Sequence, residues 1–262
     1  MTQAQFLFLG TGASSGVPMI GCTCKVCLST DVRNKRLRPS GLILLKDKKL
    51  LIDSGPDFRQ QALTHHINHL DGVLLTHSHY DHIGGLDELR IYYLRTRKPL
   101  PVLLSDPTYQ DIKRRYDYFF RERSLNLSLA AQLEFQILDQ ERGKTEFLGT
   151  QIHYMRYSQA GMPVTGYRLS NFAYVSDIQN YPETIFADLS GVEILVLSAL
   201  RHESSFMHFN IEEGVAFARK VGAKKIFFTH LGHELDYTKT NALLPDDIRL
   251  AYDGLVVDFD NG

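Results

Sequence analysis

The chain has 262 residues, 44% of them hydrophobic, an ordinary share for a soluble protein with a full core. Lys and Arg total 29 against 30 Asp and Glu, a net charge of -1, so there is no molecule-wide positive field for wrapping nucleic acid. The opening MTQAQFLFLG has no positive n-region and only four consecutive apolar residues, which predicts neither a secretory signal nor a membrane span there, and the cytoplasm as compartment.

No repeat, low-complexity tract or Gly/Ser/Pro linker divides the sequence, so one domain over 1–262 is expected. The first apolar run, QFLFLG, reads as a strand and leads to Gly10, Gly12 and Gly16; no Lys-Ser/Thr follows, so a tight turn fits better than a phosphate loop. GCTCKVC then holds all three cysteines, Cys22, Cys24 and Cys27. An odd, crowded set argues against disulfides, and C-x-C-x-x-C in a reducing compartment suits zinc thiolates, with a loop of spare thiols as the alternative. GLILLK and KLLIDSG read as strands, the second ending in Asp53 and, past Gly55-Pro56, Asp57. Both carboxylates are candidates for holding ligand histidines, and turn chemistry is the competing reading. His65, His66 and His69 are expected on a solvated helix face.

GVLL runs next into His77-Ser78-His79-Tyr80-Asp81-His82 and Gly84-Gly85. In an extended segment His77 and His79 point the same way, and a following turn brings Asp81 and His82 round to face them. LDELRIYYLR reads as a helix, PVLLSD as a strand, TYQDIKRRYDYFFRER as a helix, and EFQIL with EFLGTQIHYMRY as a strand pair. FAYVSD, EILVLSAL and KKIFFTH are strands, with IEEGVAFARKV a helix between the last two. The whole is an α/β protein with a strand-rich core. Ligand-type residues end three of its strands: Thr76-His77, Ser176-Asp177 and Thr229-His230. Such ends converge on one rim, so two adjacent cation pockets are expected, with Asp177 bridging and His230 completing the second pocket beside Asp81 and His82.

THSHYDHIGG, with FLGTGASSGVP and LLIDSGPDF before it and FAYVSD and FFTHLGH after it, resembles the metallo-β-lactamase-fold hydrolases along nearly the whole chain. That resemblance implies an αββα four-layer sandwich. GCTCKVC together with THLGH resembles the PhnP-type phosphodiesterases, which act on a cyclic phosphate of ribose; carried onto this chain, that implies a structural zinc on Cys22, Cys24, Cys27 and His233. The family supplies a further histidine in H-x-x-x-P-x-x-G-(F/Y), but here SQAGMPVTGYRL puts Gln159 at that position, and His153 lies six residues too early. Three arrangements follow. Gln159 ligates a manganese- or iron-like ion, the first pocket rests on His77, His79 and Asp177 alone, or a single ion occupies the second pocket. A two-site protein with a weak first site is favoured, holding one or two Zn2+ or Mn2+ ions.

Two such ions would hold a hydroxide nucleophile and stabilise the charge of a phosphoryl transition state. Asp81 and His208 are the expected catalytic residues. His208 precedes Asn210, whose N-x-x-E pattern with Glu213 starts a helix, and the resemblance supports it as acid or charge stabiliser, with His202 as the alternative. The expected activity is hydrolysis of a small or cyclic phosphate ester. A tRNase Z-like ribonuclease and a PqqB-like, non-hydrolytic protein of cofactor biosynthesis are the competitors. Residues 90–123 carry nine Lys/Arg, four Asp/Glu and many aromatics, a surface suited to RNA or to a homodimer contact, but the near-zero net charge argues against RNA. No membrane partner is expected.

Overall fold

Runs such as KLLI, GVL and ILVLS have no polar face, and strands of that kind are stable only when covered on both sides. The computed structural model, which describes residues 3–120 and 130–261, covers them with a second sheet on one side and helices on the other. The first sheet contains β1 (Gln3–Gly10), β2 (Ser40–Leu44), β3 (Lys49–Ile52), β4 (Gly72–Leu74), β5 (Leu100–Ser105), β6 (Leu133–Leu138) and β14 (Val256–Asp260), in the order β14-β1-β2-β3-β4-β5-β6. The second contains β7 (Arg142–Phe147), β8 (Thr150–Gln159), β9 (Met162–Leu169), β10 (Phe172–Val175), β11 (Ile194–Ser198), β12 (Lys225–Thr229) and β13 (Ile248–Leu250), in the order β13-β12-β11-β10-β9-β8-β7. Each sheet is antiparallel at one end and parallel at the other, with β3 to β6 and β10 to β13 the parallel sets.

Alternation along β1 assigns its side chains to layers. Phe6 and Phe8 enter the core between the sheets with Phe172, Tyr174 and Val196, while Leu7 and Leu9 face the helices. On that outer face lie α1 (Phe58–Thr64), α2 (Tyr80–Ile83), α3 (Arg90–Thr96) and α4 (Asp106–Arg115), through Phe58, Ile83, Tyr92 and Ile112. Over the second sheet lie α5 (Ile185–Asp188), α6 (Ile211–Val221) and α7 (Tyr237–Asn241), through Ile185, Phe217 and Tyr237. The result is the αββα sandwich expected. Phe6 is fully buried and stacks edge-on to Phe8 at 4.8 Å, so truncating it to alanine should cost about 3–5 kcal/mol.

Three local expectations need correction. EFQIL and EFLGTQIHYMRY are not a pair: β6 joins β5 in the first sheet, and the chain crosses at 139–141 to the second sheet, where β7 pairs with β8. The helix expected over 108–123 ends at Arg115, because Tyr116 leaves helical geometry; its last part, 121–123, lies outside the described residues. His65 caps α1 and His66 and His69 follow it, so none lies on the helix face proper. By contrast α6 keeps its expected bounds, with a capping box between Asn210 and Glu213 at its start and Gly222 in left-handed geometry at its end.

Candidate metal centre

β4 stops at Leu74 because the next residues turn their polar groups inward. Thr76 is anchored to Asp53: its N–H donates to Asp53 Oδ1 and its hydroxyl to Oδ2, both at 2.8 Å. The segment stays extended through His79, so His77 Nε2 and His79 Nδ1 come within 3.0 Å of each other. The single turn of α2 then swings Asp81 and His82 to the same side. That turn sits hard against the Asp53-Ser54-Gly55 bend. A Cβ on Gly55 would lie 2.0 Å from the Asp81 carbonyl oxygen, and one on Gly85 would lie 2.1 Å from the Gly55 carbonyl oxygen, so only glycine fits at either.

The second sheet supplies the facing groups. Asp177 follows β10 and His230 follows β12, both in left-handed backbone geometry (φ 54° and 58°), as is Asp53 after β3 (φ 60°). This geometry turns each side chain off its strand and into the basin. His82 Nε2 lies 3.2 Å from Asp177 Oδ2 and 3.4 Å from Asp81 Oδ2; His230 Nε2 lies 3.3 Å from Asp81 Oδ2 and 3.2 Å from Asp177 Oδ1. Four donors around a cation at about 2.0–2.1 Å are separated by about 3.3 Å along tetrahedral edges. His82 Nε2 is buried and, despite these neighbours, has no aligned hydrogen-bond partner among the described residues. His230 Nε2 meets Asp81 Oδ2 as a long hydrogen bond, and donors crowded at ligand spacing with one of them unpartnered fit a shared cation. His82 falls with His77 and Asp177 in one compact group and with Asp81 and His230 in another.

Electrostatics point the same way. Against the penalty of burial, Asp177, Asp81 and Asp53 hold the His82 imidazole well above its usual range, and Asp177 and Asp81 raise His230 likewise. Asp177 is buried, yet His230 and His82 hold its carboxyl well below the usual carboxylate range. Three carboxylates converging on His82 demand positive charge, which a divalent cation would meet. His77 is different: burial, with His82 beside it, pushes it well down, leaving a neutral imidazole suited to ligation. Asp53 accepts from His82 Nδ1 at 2.6 Å and so fixes which nitrogen faces the basin.

Gln159 ends β8 and is buried. Its Nε2 lies 3.1 Å from Asp177 Oδ1 and against the His208 ring, and its Oε1 is a buried acceptor with no hydrogen-bond partner among the described residues. His208 stacks on His230 at 4.8 Å, with Nδ1 3.5 Å from Asp177 Oδ1; burial and the neighbouring His230 push it down to about 4. His202 is exposed and touches none of this. Above the basin opens a cavity of about 280 Å³, lined by Ser14, His79, Tyr80, Asp81, Gln159, Asp177, Met207, His208 and His230.

The cysteines form a second cluster with His233. Its Nδ1 lies 3.3 Å from Cys22 Sγ and 3.5 Å from Cys24 Sγ, against about 3.5 Å for the S···N edge of a zinc tetrahedron. Cys27 completes the group. The Cys27 N–H bonded to Cys24 Sγ outweighs burial there and lowers that thiol to about 6, whereas burial raises Cys27 to about 11. Arg36, buried between the clusters' loops, donates to the carbonyls of Gly232 and Leu235 at 2.9 and 2.6 Å and so grips His233 from both sides.

Sequence reasoning assigned Asp57 evenly between turn and ligand support; it pairs instead with Arg38, accepting from its backbone N–H at 2.8 Å and meeting Nε at 3.0 Å. It missed Ser176, whose hydroxyl is bonded to Asp177, although Ser176 stands beside that ligand in the strand-end pattern. Thr76, bonded to His77 Nδ1 at 3.0 Å, was legible in the same way.

The profile of the beta-lactamase superfamily domain matches residues 48–231. The crystal structure of a diphosphatase from the PhnP family superposes with a TM-score of 0.90 at 35% identity, covering 98% of this chain and 97% of that one. An octanoyltransferase of Porphyromonas gingivalis is 33% identical over 259 residues, 95% of this chain but 50% of that protein's length. Coenzyme PQQ synthesis protein B of Methylobacterium nodulans is 35% identical over 100 residues, 33% of each protein. The chain thus spans half or less of the length of these two curated relatives. With its profile match, its αββα layers and its basin of histidines and aspartates, the chain belongs to the beta-lactamase superfamily, with the metallo-β-lactamase fold in its PhnP-like form.

Proposed function

We propose that this protein is a metal-dependent phosphodiesterase that cleaves a small or cyclic phosphate ester, working as one domain over 1–262 in the cytoplasm. The observation that carries the reading is the basin itself: Asp81, His82, Asp177 and His230 at tetrahedral-edge spacing under a small cavity, with His208 on its wall. In this reading Asp81, His82, Asp177 and His230 hold one Zn2+ or Mn2+ ion. His77, His79 and Asp177 hold a second, with the partnerless Gln159 Oε1 as a weak neutral donor. Bound there, such ions activate water near neutral pH and neutralise phosphate charge. Cys22, Cys24, Cys27 and His233 hold a closed structural zinc, and the reducing cytoplasm suits three free thiols.

The chain's own residues then do the following. Asp53 keeps His82 Nδ1 protonated and its Nε2 facing inward. His208, neutral at physiological pH, offers a ring N–H to a phosphoryl or leaving oxygen rather than a full positive charge, and the N-terminus of α6 behind it favours the anion. The likeness to a PhnP-family diphosphatase supports phosphorus as the reacting centre, and the cavity of about 280 Å³ supports a small substrate over folded RNA. The replaced histidine at Gln159 and the partial likeness to coenzyme PQQ synthesis protein B favour the non-hydrolytic reading enough to test it.

Metal analysis of protein purified without chelator, paired with a panel of bis(p-nitrophenyl) phosphate, ribose cyclic phosphates, cyclic nucleotides and structured RNA, is the test. Metal-dependent turnover of the small diesters is expected. No turnover by protein carrying its full metal complement would overturn the proposal in favour of the non-hydrolytic reading, and a length-dependent preference for RNA would favour a ribonuclease.

A further inference from the structure

The end of α4 and the residue after it reach the histidine motif at three points. Ser78, the residue between His77 and His79, donates its hydroxyl to Asp111 Oδ2 at 2.5 Å, and its carbonyl accepts from Arg115 Nη1 at 2.7 Å. Tyr116 donates its hydroxyl to the carbonyl of Ile83 at 2.9 Å, one residue beyond His82. Asp111 is itself held by Arg114 and lies 3.8 Å from Arg115 Nη2. Among the described residues no other side chain bonds Ser78 apart from a long contact of its hydroxyl with Met162 sulfur at 3.9 Å.

We propose that Asp111, Arg115 and Tyr116 are positioning residues that fix the two metal pockets independently, Asp111 and Arg115 setting the first and Tyr116 the second. The argument is one of lever arms. His77 and His79 flank Ser78, and an extended three-residue segment has two free dihedrals per residue, so the 3.0 Å approach of their ring nitrogens depends on where Ser78 is held. Ser78 is gripped at both its hydroxyl and its carbonyl. Asp81 and His82 sit in the turn of α2, already fixed by Asp53 and by the bonds of that turn, which takes only one further bond, at the Ile83 carbonyl, from Tyr116. The first pocket, with glutamine in place of a histidine, has fewer strong donors and so depends more on preorganisation, and it receives two of the three bonds.

This rests on the two-pocket reading above, and the experiment separates the two failures. Manganese or cobalt is titrated into protein stripped of its active-site ions but retaining the cysteine-site zinc, following Mn2+ by electron paramagnetic resonance and Co2+ by its visible spectrum. Wild type should bind two ions; binding of fewer than two overturns the two-pocket reading itself. Given two, Asp111→Ala should weaken the first-pocket ion about 10–100-fold and alter its cobalt spectrum, leaving the second-pocket affinity and the cysteine-site zinc unchanged. Asp111→Asn, which keeps an oxygen to accept from Ser78, should recover most of that loss. Tyr116→Phe should instead weaken the second-pocket ion. Equal affinities in wild type and Asp111→Ala, equal losses at both pockets, or no recovery in Asp111→Asn would each overturn the clamp. Melting temperature and cysteine-site zinc content show which variants remain folded, and Ser78→Ala repeats the test from the other side of the bond should Asp111→Ala not fold.

Discussion

The two ligand clusters solve different problems. The cysteine cluster draws three donors from residues 22–27 and a fourth from His233; four donors close a tetrahedron, leaving no position for a substrate. The histidine and aspartate basin draws on the ends of β4, β10 and β12 from both sheets, has more donors than one ion needs, and opens into a cavity. His230 and His233 are three residues apart, so in the proposed reading a zinc on the cysteine cluster would pin the segment that presents a ligand to the open one. The number of donors relative to coordination sites, not the presence of a metal-binding motif, separates a staple from a workplace.

The sharpest way to break this comparison is to empty the basin alone. His82→Ala should cost more than the roughly 10–100-fold typical of an outer partner, in both basin metal affinity and activity, while zinc on the cysteines stays; loss of both metals together would mean the clusters are one unit. Next, His208→Gln should lower kcat about a hundredfold with metal content unchanged, and His202→Gln should leave it within twofold, as steady-state kinetics with metal analysis would show.

Closing the comparison from the other side, Cys24→Ser should lower stability by about 2–3 kcal/mol, roughly 5–10 °C in Tm, with kcat within a few-fold of wild type. An unchanged Tm and zinc count would make the cysteine segment a plain loop. The pH dependence of that site has a definite sign. The Cys27 N–H lowers Cys24 from about 9 to about 6, so the stability its thiolate supports is full above about pH 9, declines as pH falls and is gone below about 6. A bound zinc would compete with protons for that thiolate, so zinc release followed with a chromophoric chelator should begin below pH 6. The smallest effect belongs to Gln159→His, which should tighten zinc in the first pocket about tenfold and reduce any stimulation by added manganese. If titration shows no first-pocket ion in either form, one ion suffices for the chemistry.

The basin was legible because its geometry is local. H-x-H followed by a turn fixes four donors within six residues, and Asp177 and His230 stand at the ends of apolar runs whose direction periodicity reveals. The helix at Ile211–Val221 was bounded by its own cap residues. What escaped depends on contacts distant in sequence. The strand RGKTEF has a charged, half-exposed edge pattern, so nothing in it says which sheet it joins. Asp111 meets Ser78 across 33 positions, and no spacing rule connects a helix carboxylate to a loop hydroxyl. Asp57 resembled a ligand partner only through its neighbour Asp53, and one bend of backbone sends it to Arg38.

The left-handed backbone at Asp53, Asp177 and His230 carries a consequence for how long the protein lasts. A non-glycine residue in that region costs about 1–3 kcal/mol, and a whole domain is stable by only about 5–15 kcal/mol. These three positions alone hold back a sizeable part of the molecule's durability. Glycine at His230 would relax the backbone but also remove the buried partner of Asp81 and Asp177, so metal-stripped His230→Gly should melt below the metal-stripped parent. The strained corners and the ion pairs they create therefore cannot be separated by a single substitution.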